Sequence, residues 1–191
     1  MSEQAVKWIE IRRHSIRDGA GDLNAEGKAL AERVAKTLPG SYAVVVTSGK
    51  PRAVQTAVLF GQATPETDDR LSLLTMPEGV IKREVEALME KKGLTALEAY
   101  FSIPTCRTVL RESGQKVVAL VQELAEKLKS GERALCVSHG GTIEPAVLIA
   151  LKQEFSLEVL GGEFAECEGA TFAVVGSQIV GVDIHRLSAL E

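Results

Sequence analysis

Cysteine is scarce in this chain, with three residues in 191. Cys106, Cys136 and Cys167 are odd in number and show no Cys-x-x-Cys spacing, which excludes a secreted disulfide framework and the usual zinc knuckle. Buried, inert thiols are expected instead. Long apolar runs are also missing, and charge is mixed through the first residues, so no segment reads as a bilayer span and a soluble cytoplasmic protein is expected. Aromatics make up 4% of the chain, and Trp8, Tyr42 and the scattered phenylalanines are expected in the core rather than as stacking platforms. The formal net charge of -4 offers no general attraction to nucleic acid or an anionic membrane, so any phosphate site must be a local concentration of positive charge. There is no internal repeat, low-complexity tract or linker, and residues 1–191 are expected to form one domain around one sizeable core.

What is present is an alternation of two periods. Val6, Trp8, Ile9 and Ile11 form a strand-like run that stops at Arg12-Arg13-His14-Ser15. Leu30, Val34 and Leu38 then recur at helical spacing from an N-cap at Asn24 until Pro39-Gly40 ends the pattern. The cycle repeats with a strand over 42–46, the loop Thr47-Ser48-Gly49, and a helical stripe of Ala53, Ala57 and Phe60. From about 62 to 112 the chain reads as a helical excursion, with one helix opened by the capping box Thr95-x-x-Glu98. Val117, Val121, Leu124 and Leu128 mark the next helix, a strand follows over 134–137, and Ser138-His139-Gly140-Gly141 opens a helix carrying Ile143, Val147 and Leu151. Two late β-rich runs, 171–175 and 179–184, complete the pattern. Strands alternating with helices predict an α/β fold, a three-layer α/β/α sandwich around a mostly parallel central sheet.

In open α/β sheets ligands bind beyond the carboxyl ends of the strands. The residues placed there are Arg13-His14, then Ser48 followed by Arg52, then His139 with two glycines after it. Each alone is compatible with an ordinary surface or core residue. Together, two arginines suggest a doubly charged anion, since guanidinium forks bind oxyanions in bidentate fashion. Backbone N–H groups at Gly140-Gly141, opening a helix, would add donors. Arg17 and Lys50 lie close enough in sequence to steer the rest of a substrate, and His185, in a late strand, is expected to be structural or exposed.

These residues resemble a known family. Arg13-His14-Ser15 is similar to the Arg-His-Gly signature of the histidine phosphatase, or phosphoglycerate mutase-like, superfamily. Leu23-Asn24-Ala25-Glu26-Gly27 resembles the family's Leu-Thr-x-x-Gly helix start, Ser48 to Ala57 keeps its Ser-x-x-x-Arg-Ala-x-Gln-Thr-Ala pattern, and Ser138-His139-Gly140-Gly141 matches its late Ser-His-Gly-Gly element. The resemblance implies a phosphoglycerate mutase-like fold and a metal-independent, cofactor-free phosphatase. Its substrate would be a phosphorylated small molecule or phosphoprotein. His14 would attack phosphorus to form a phosphohistidine that water hydrolyses, with Arg13, Arg52 and His139 lining the phosphate pocket. His14 would have to be neutral, a state the arginines favour, and His139 would serve best as a charged donor.

Two departures bear on the mechanism. Ser15 stands where the family usually has glycine. The general acid that many relatives carry shortly after an Arg-Leu pair is also missing, since Arg70-Leu71 is followed by Ser72, Leu73, Leu74 and Thr75. Glu78 is the first candidate donor and Glu144 the second. With no well-placed acid, easily expelled leaving groups would be favoured, as in the short bacterial phosphohistidine phosphatases that this chain resembles in size. A weak phosphate- or phosphoprotein-binding module of the same fold is the alternative.

Overall fold

The computed structural model describes residues 6–61, 65–76 and 80–187. Their strands form one six-stranded sheet in the order β3-β2-β4-β1-β5-β6. In chain order these are β1 (Lys7–Arg13), β2 (Val44–Thr47), β3 (Glu66–Thr67), β4 (Arg133–Ser138), β5 (Gly169–Val175) and β6 (Gln178–His185). β1 to β4 run parallel, while β5 is antiparallel to both β1 and β6. The central pair is covered on both faces, so its side chains read as continuously buried rather than alternating: Ile9, Glu10, Ile11 and Arg12 are all inside. Glu10 and Arg12 share one face and are tolerated there because they pair at 2.6 Å and Tyr42 donates to the second Glu10 oxygen.

α1 (Ala25–Ala35) and α2 (Pro51–Leu59) pack on one face of the sheet, where Ala31, Val34, Ala53, Ala57 and Phe60 meet Leu135 and Val137. α5 (Pro104–Lys127) and α6 (Ile143–Leu151) pack on the other, where Leu110, Val121, Leu124 and Val147 meet Ile9, Ile11, Ala134 and Cys136. The result is the expected α/β/α sandwich. α3 (Val80–Lys92) and α4 (Ala96–Ser102) build a smaller cluster of their own with the start of α5, and the Thr95–Glu98 capping box is present. No described helix is long and apolar enough to cross a membrane.

Two elements differ from the sequence reading. β3 is two exposed residues at the sheet edge, too short to leave a periodic signal, and was read as part of the helical excursion. α5 begins at Pro104, so its first turns also belong to that excursion as read from sequence. Gly114 breaks the apolar stripe there because α6 crosses it closely, and a Cβ at Gly114 would lie 2.8 Å from Ile149 Cδ1 and from the Pro145 carbonyl carbon. All three cysteines are buried and free.

Candidate functional site

Parallel register brings the site together. Arg13 pairs with Ser138 and Thr47 with Val137, so β1, β2 and β4 end at one edge and the next residues of each are neighbours. The His14 N–H donates to the Ser138 carbonyl at 2.9 Å and the Ser48 N–H to the Val137 carbonyl at 3.3 Å. α2 starts with Pro51 at its first position, where the missing N–H costs nothing, and so presents Arg52 from its first turn.

The side chains interlock. His14 and His139 lie edge to face with ring centroids 5.0 Å apart. Arg52 spans them, its Nε donating to His14 Nε2 at 3.0 Å and its Nη2 to His139 Nδ1 at 3.2 Å. Since a guanidinium only donates, both of those ring nitrogens must accept. His14 therefore carries its proton on Nδ1, which donates to the Ser15 carbonyl at 2.7 Å, and His139 carries its proton on Nε2, facing Ser48 Oγ at 2.8 Å. Burial pushes the His14 pKa down to about 4, with Arg52 and Arg13 lowering it further against the opposing Ser15 carbonyl. The His139 pKa is pushed down to about 3, first by burial, then by His14 and the cationic Arg52, Lys50 and Arg13.

Arg13 approaches from the other side. Its Nη1 donates to the Phe164 carbonyl at 2.6 Å, its Nη2 pairs with Glu166 at 2.9 Å, and its buried Nε has no partner among the described residues. Gly140 backs this guanidinium, and a Cβ there would stand 3.3 Å from Arg13 Nη1, so the glycine allows the close approach. These groups form part of the lining of a cavity of about 700 Å³, whose other walls include Arg17, Leu73, Leu74, Leu97, Tyr100, Glu163 and Glu166. Ser138 Oγ and Thr142 Oγ1 donate to the carbonyls of Leu71 and Ser72, which pins the 71–74 segment along the cavity. His14, His139 and the guanidiniums of Arg13, Arg17 and Arg52 thus border one cavity, a lining whose chemistry suits a tetrahedral oxyanion.

The pattern of the histidine phosphatase superfamily (branch 1) matches residues 7–158. The chain belongs to the histidine phosphatase superfamily. Among curated proteins none matches it. Its fold is similar to that of phosphoserine phosphatase from Entamoeba histolytica (TM-score 0.64, 15% identity, covering 97% of this chain and 100% of that one). It is also similar to phosphoglycerate mutase from Bacillus anthracis (0.66, 14%, 96% and 93%) and to the Bacillus stearothermophilus protein YhfR (0.70, 20%, 97% and 100%). At these identities the likeness establishes the phosphoglycerate mutase-like fold alone.

For this histidine phosphatase, several site expectations change. His139 is neutral rather than charged, because burial beside three cations disfavours a further positive charge. The Gly141 N–H is not available to a ligand, since it donates to Glu144 Oε2 at 2.7 Å. Glu144 itself is fully buried, takes the Phe164 N–H on its other oxygen at 3.1 Å, and is not among the residues lining the cavity. It ties the His139 turn to the loop that holds Arg13, a positioning role rather than that of a proton donor. Glu78 lies outside the described residues. The neutrality of His14 is as expected, but burial contributes more to it than the arginines.

Sequence reasoning missed Glu163 and Glu166, which stand in the loop before β5, where the resemblance is only general and a Phe-Ala spacing carries no motif. Ser15 explains itself: fully buried, its hydroxyl donates to the Gly27 carbonyl at 2.7 Å and its N–H to Thr56 Oγ1 at 3.0 Å, so it fastens the loop after β1 to both α1 and α2.

The two buried imidazoles imply a measurable pH response. The unfolded chain takes up these protons near pH 6.5, whereas the folded one does so only near pH 4 and pH 3. Their stabilising contribution is therefore fully present above about pH 6.5 and is lost as the pH falls towards the folded values. It is worth on the order of 3 kcal/mol for His14. In an NMR titration the His14 Cε1–H resonance should hold its neutral position down to about pH 5, and inorganic phosphate should raise both midpoints because a bound anion favours imidazolium. A His14 midpoint near 6.5 without phosphate would contradict the buried geometry.

Proposed function

We propose that this chain is a metal-independent phosphatase that hydrolyses a phosphorylated small molecule through a phosphohistidine on His14. The observation that carries this reading is the convergence of His14, Arg13, Arg52 and His139 at one cavity, with the Nε2 lone pair of His14 held towards Arg52 and the Nε–H of Arg13 still to be satisfied. A phosphoryl group entering between the histidines offers Arg52 a charged acceptor in place of the two imidazole nitrogens, which frees His14 Nε2 to attack. The N–P bond forms as the ester P–O bond breaks, and the spreading negative charge falls on Arg13, Arg52, His139 and the Gly140 backbone. Water then attacks the phosphohistidine, releasing phosphate and restoring neutral His14.

The proposed proton donor to the leaving oxygen is Glu78, which takes a proton back from the attacking water. In support, the chain before and after it borders the substrate space, with Leu74 on the phosphate cavity and Met76 and Ile81 on the adjoining one. Of the carboxylates that line the cavity, Asp18, Glu163 and Glu166, the last is already paired with Arg13 at 2.9 Å. Hydrolysis of an alkyl and an aryl phosphate, both in EDTA, tests the assignment. Glu78→Gln should slow the alkyl ester by roughly 10²- to 10⁴-fold and the aryl ester far less. Equal losses on both esters would remove Glu78 from the mechanism, and turnover that requires added metal would overturn the reading itself. Phosphate binding without any turnover would leave a binding module.

A further inference from the structure

The cavity lined by His14, Arg13, Arg52 and His139 does not stand alone. Leu73, Leu74, Ala96 and Tyr100 line it and also line a second cavity of about 760 Å³, so the two spaces adjoin across an apolar wall. Among the described residues, the second is bordered by Met76, Ile81, Val85 and Met89, with Lys82 and Glu86 as the charged ones. Those two are exposed and lie 3.9 Å apart, so they neutralise each other at the rim. The first cavity thus carries the guanidiniums of Arg13, Arg17 and Arg52 along with three carboxylates, whereas the described walls of the second are mostly apolar, with Thr75 and the Tyr100 hydroxyl as their uncharged polar side-chain groups.

The sequence of α3 accounts for the surface. Ile81, Val85 and Met89 repeat every fourth residue; Val85 is buried against Ala99, Ile103 and Cys106, while Met89 remains 40% exposed on the same stripe. Leu73, 52% exposed, stands on the wall shared by the two cavities. Large exposed apolar side chains at a cavity adjoining a charged site mark a binding surface more often than chance. Met76 and Met89 are two of the three methionines in the chain, and thioether side chains adapt to varied apolar shapes.

From this partition we infer that the substrate is a phosphate monoester whose alcohol portion is an extended hydrocarbon, lying along Leu73, Leu74 and Tyr100 with its far end against Ile81 and Met89. The inference rests on the phosphate site proposed above. It is tested without turnover by calorimetric titration of the full chain with n-alkylphosphonates from ethyl to decyl, each below its micelle concentration. The dissociation constant should fall about three- to fourfold per added methylene until the trough is filled. Inorganic phosphate should compete with every member. Met89→Lys should cut the octyl-to-ethyl affinity ratio by tenfold or more. A series independent of chain length overturns this inference and leaves the phosphatase reading intact if p-nitrophenyl phosphate is still hydrolysed. A rising series that ignores Met89→Lys or inorganic phosphate also overturns it, because the chain then binds elsewhere. A rising, competed and Met89-sensitive series with no ester hydrolysed places a long-chain phosphate in the trough as a ligand, and overturns both the phosphatase reading and the claim that this ligand is a substrate.

Discussion

Replacing His14 with alanine is expected to lower kcat by roughly 10⁴- to 10⁶-fold while leaving phosphate affinity nearly unchanged. The loss is large because, of the two accepting imidazole nitrogens that Arg52 holds at the cavity, the proposed nucleophile is His14 Nε2, whose ring carries its proton on Nδ1 against the Ser15 carbonyl. The other imidazole, His139, has its accepting Nδ1 turned to Arg52 and its proton turned to Ser48. No described side chain is placed to replace the nucleophile, so the variant must rely on direct attack by water. Binding is spared because Arg13 and Arg52 keep their own supports, the Phe164 carbonyl and Glu166 for one and the first turn of α2 for the other. Removing the imidazole also releases the Arg52 Nε for a phosphate oxygen. Steady-state hydrolysis of p-nitrophenyl phosphate in EDTA gives kcat, and competitive inhibition by inorganic phosphate gives affinity. A fall in affinity that matches the fall in kcat would make His14 a binding residue instead of the nucleophile.

Gly27→Ala is expected to destabilise the fold by roughly 3 kcal/mol or more, a change a conservative-looking substitution in a first helical turn would not ordinarily produce. Gly27 sits where α1 abuts the loop after the nucleophile. A Cβ there would stand 2.0 Å from the Ile16 carbonyl oxygen and 2.9 Å from its carbon, and neither is the end of a flexible side chain. Relief requires the helix and the loop to part. That would strain the bonds crossing the same junction: Asn24 N–H to the Ile16 carbonyl at 3.2 Å, and Ser15 Oγ to the Gly27 carbonyl at 2.7 Å. For a chain of this length the melting temperature should fall by about 10 °C, at ~2–4 °C per kcal/mol. Because His14 precedes this loop, kcat should fall with stability. Ala29→Gly, two residues along the same helix and exposed, makes the control and should cost only ~1 kcal/mol. An unchanged melting temperature for Gly27→Ala would show that the helix moves away freely.

The meeting of the candidate site residues was legible in the sequence because strand ends are legible. The apolar runs stop at Arg13-His14, Thr47-Ser48 and Ser138-His139, and parallel order alone predicts that those residues share an edge. The buried Glu10 and Arg12 were not legible as partners, because a strand covered on both faces loses the alternation that separates inside from outside. Glu163 and Glu166 were invisible for a different reason. They reach the cavity through a loop held by backbone carbonyl contacts with Arg186 and Arg13, and such contacts depend on no particular side chain at the positions they hold.

By itself, then, the sequence determined the alternation of strand and helix, the family, and which side chains carry the charge, since each is written in local spacing or in residue type. Only the tertiary structure decided how those side chains are used. It made both imidazoles neutral, because burial among cations penalises protonation in a way no neighbour in sequence reveals. It turned Glu144 from a possible acid into a clamp on two backbone N–H groups, and it set the apolar trough of α3 and α4 beside the cavity lined by His14, Arg52 and His139. Each of these depends on which distant segments pack together, and packing is a property of the folded chain as a whole.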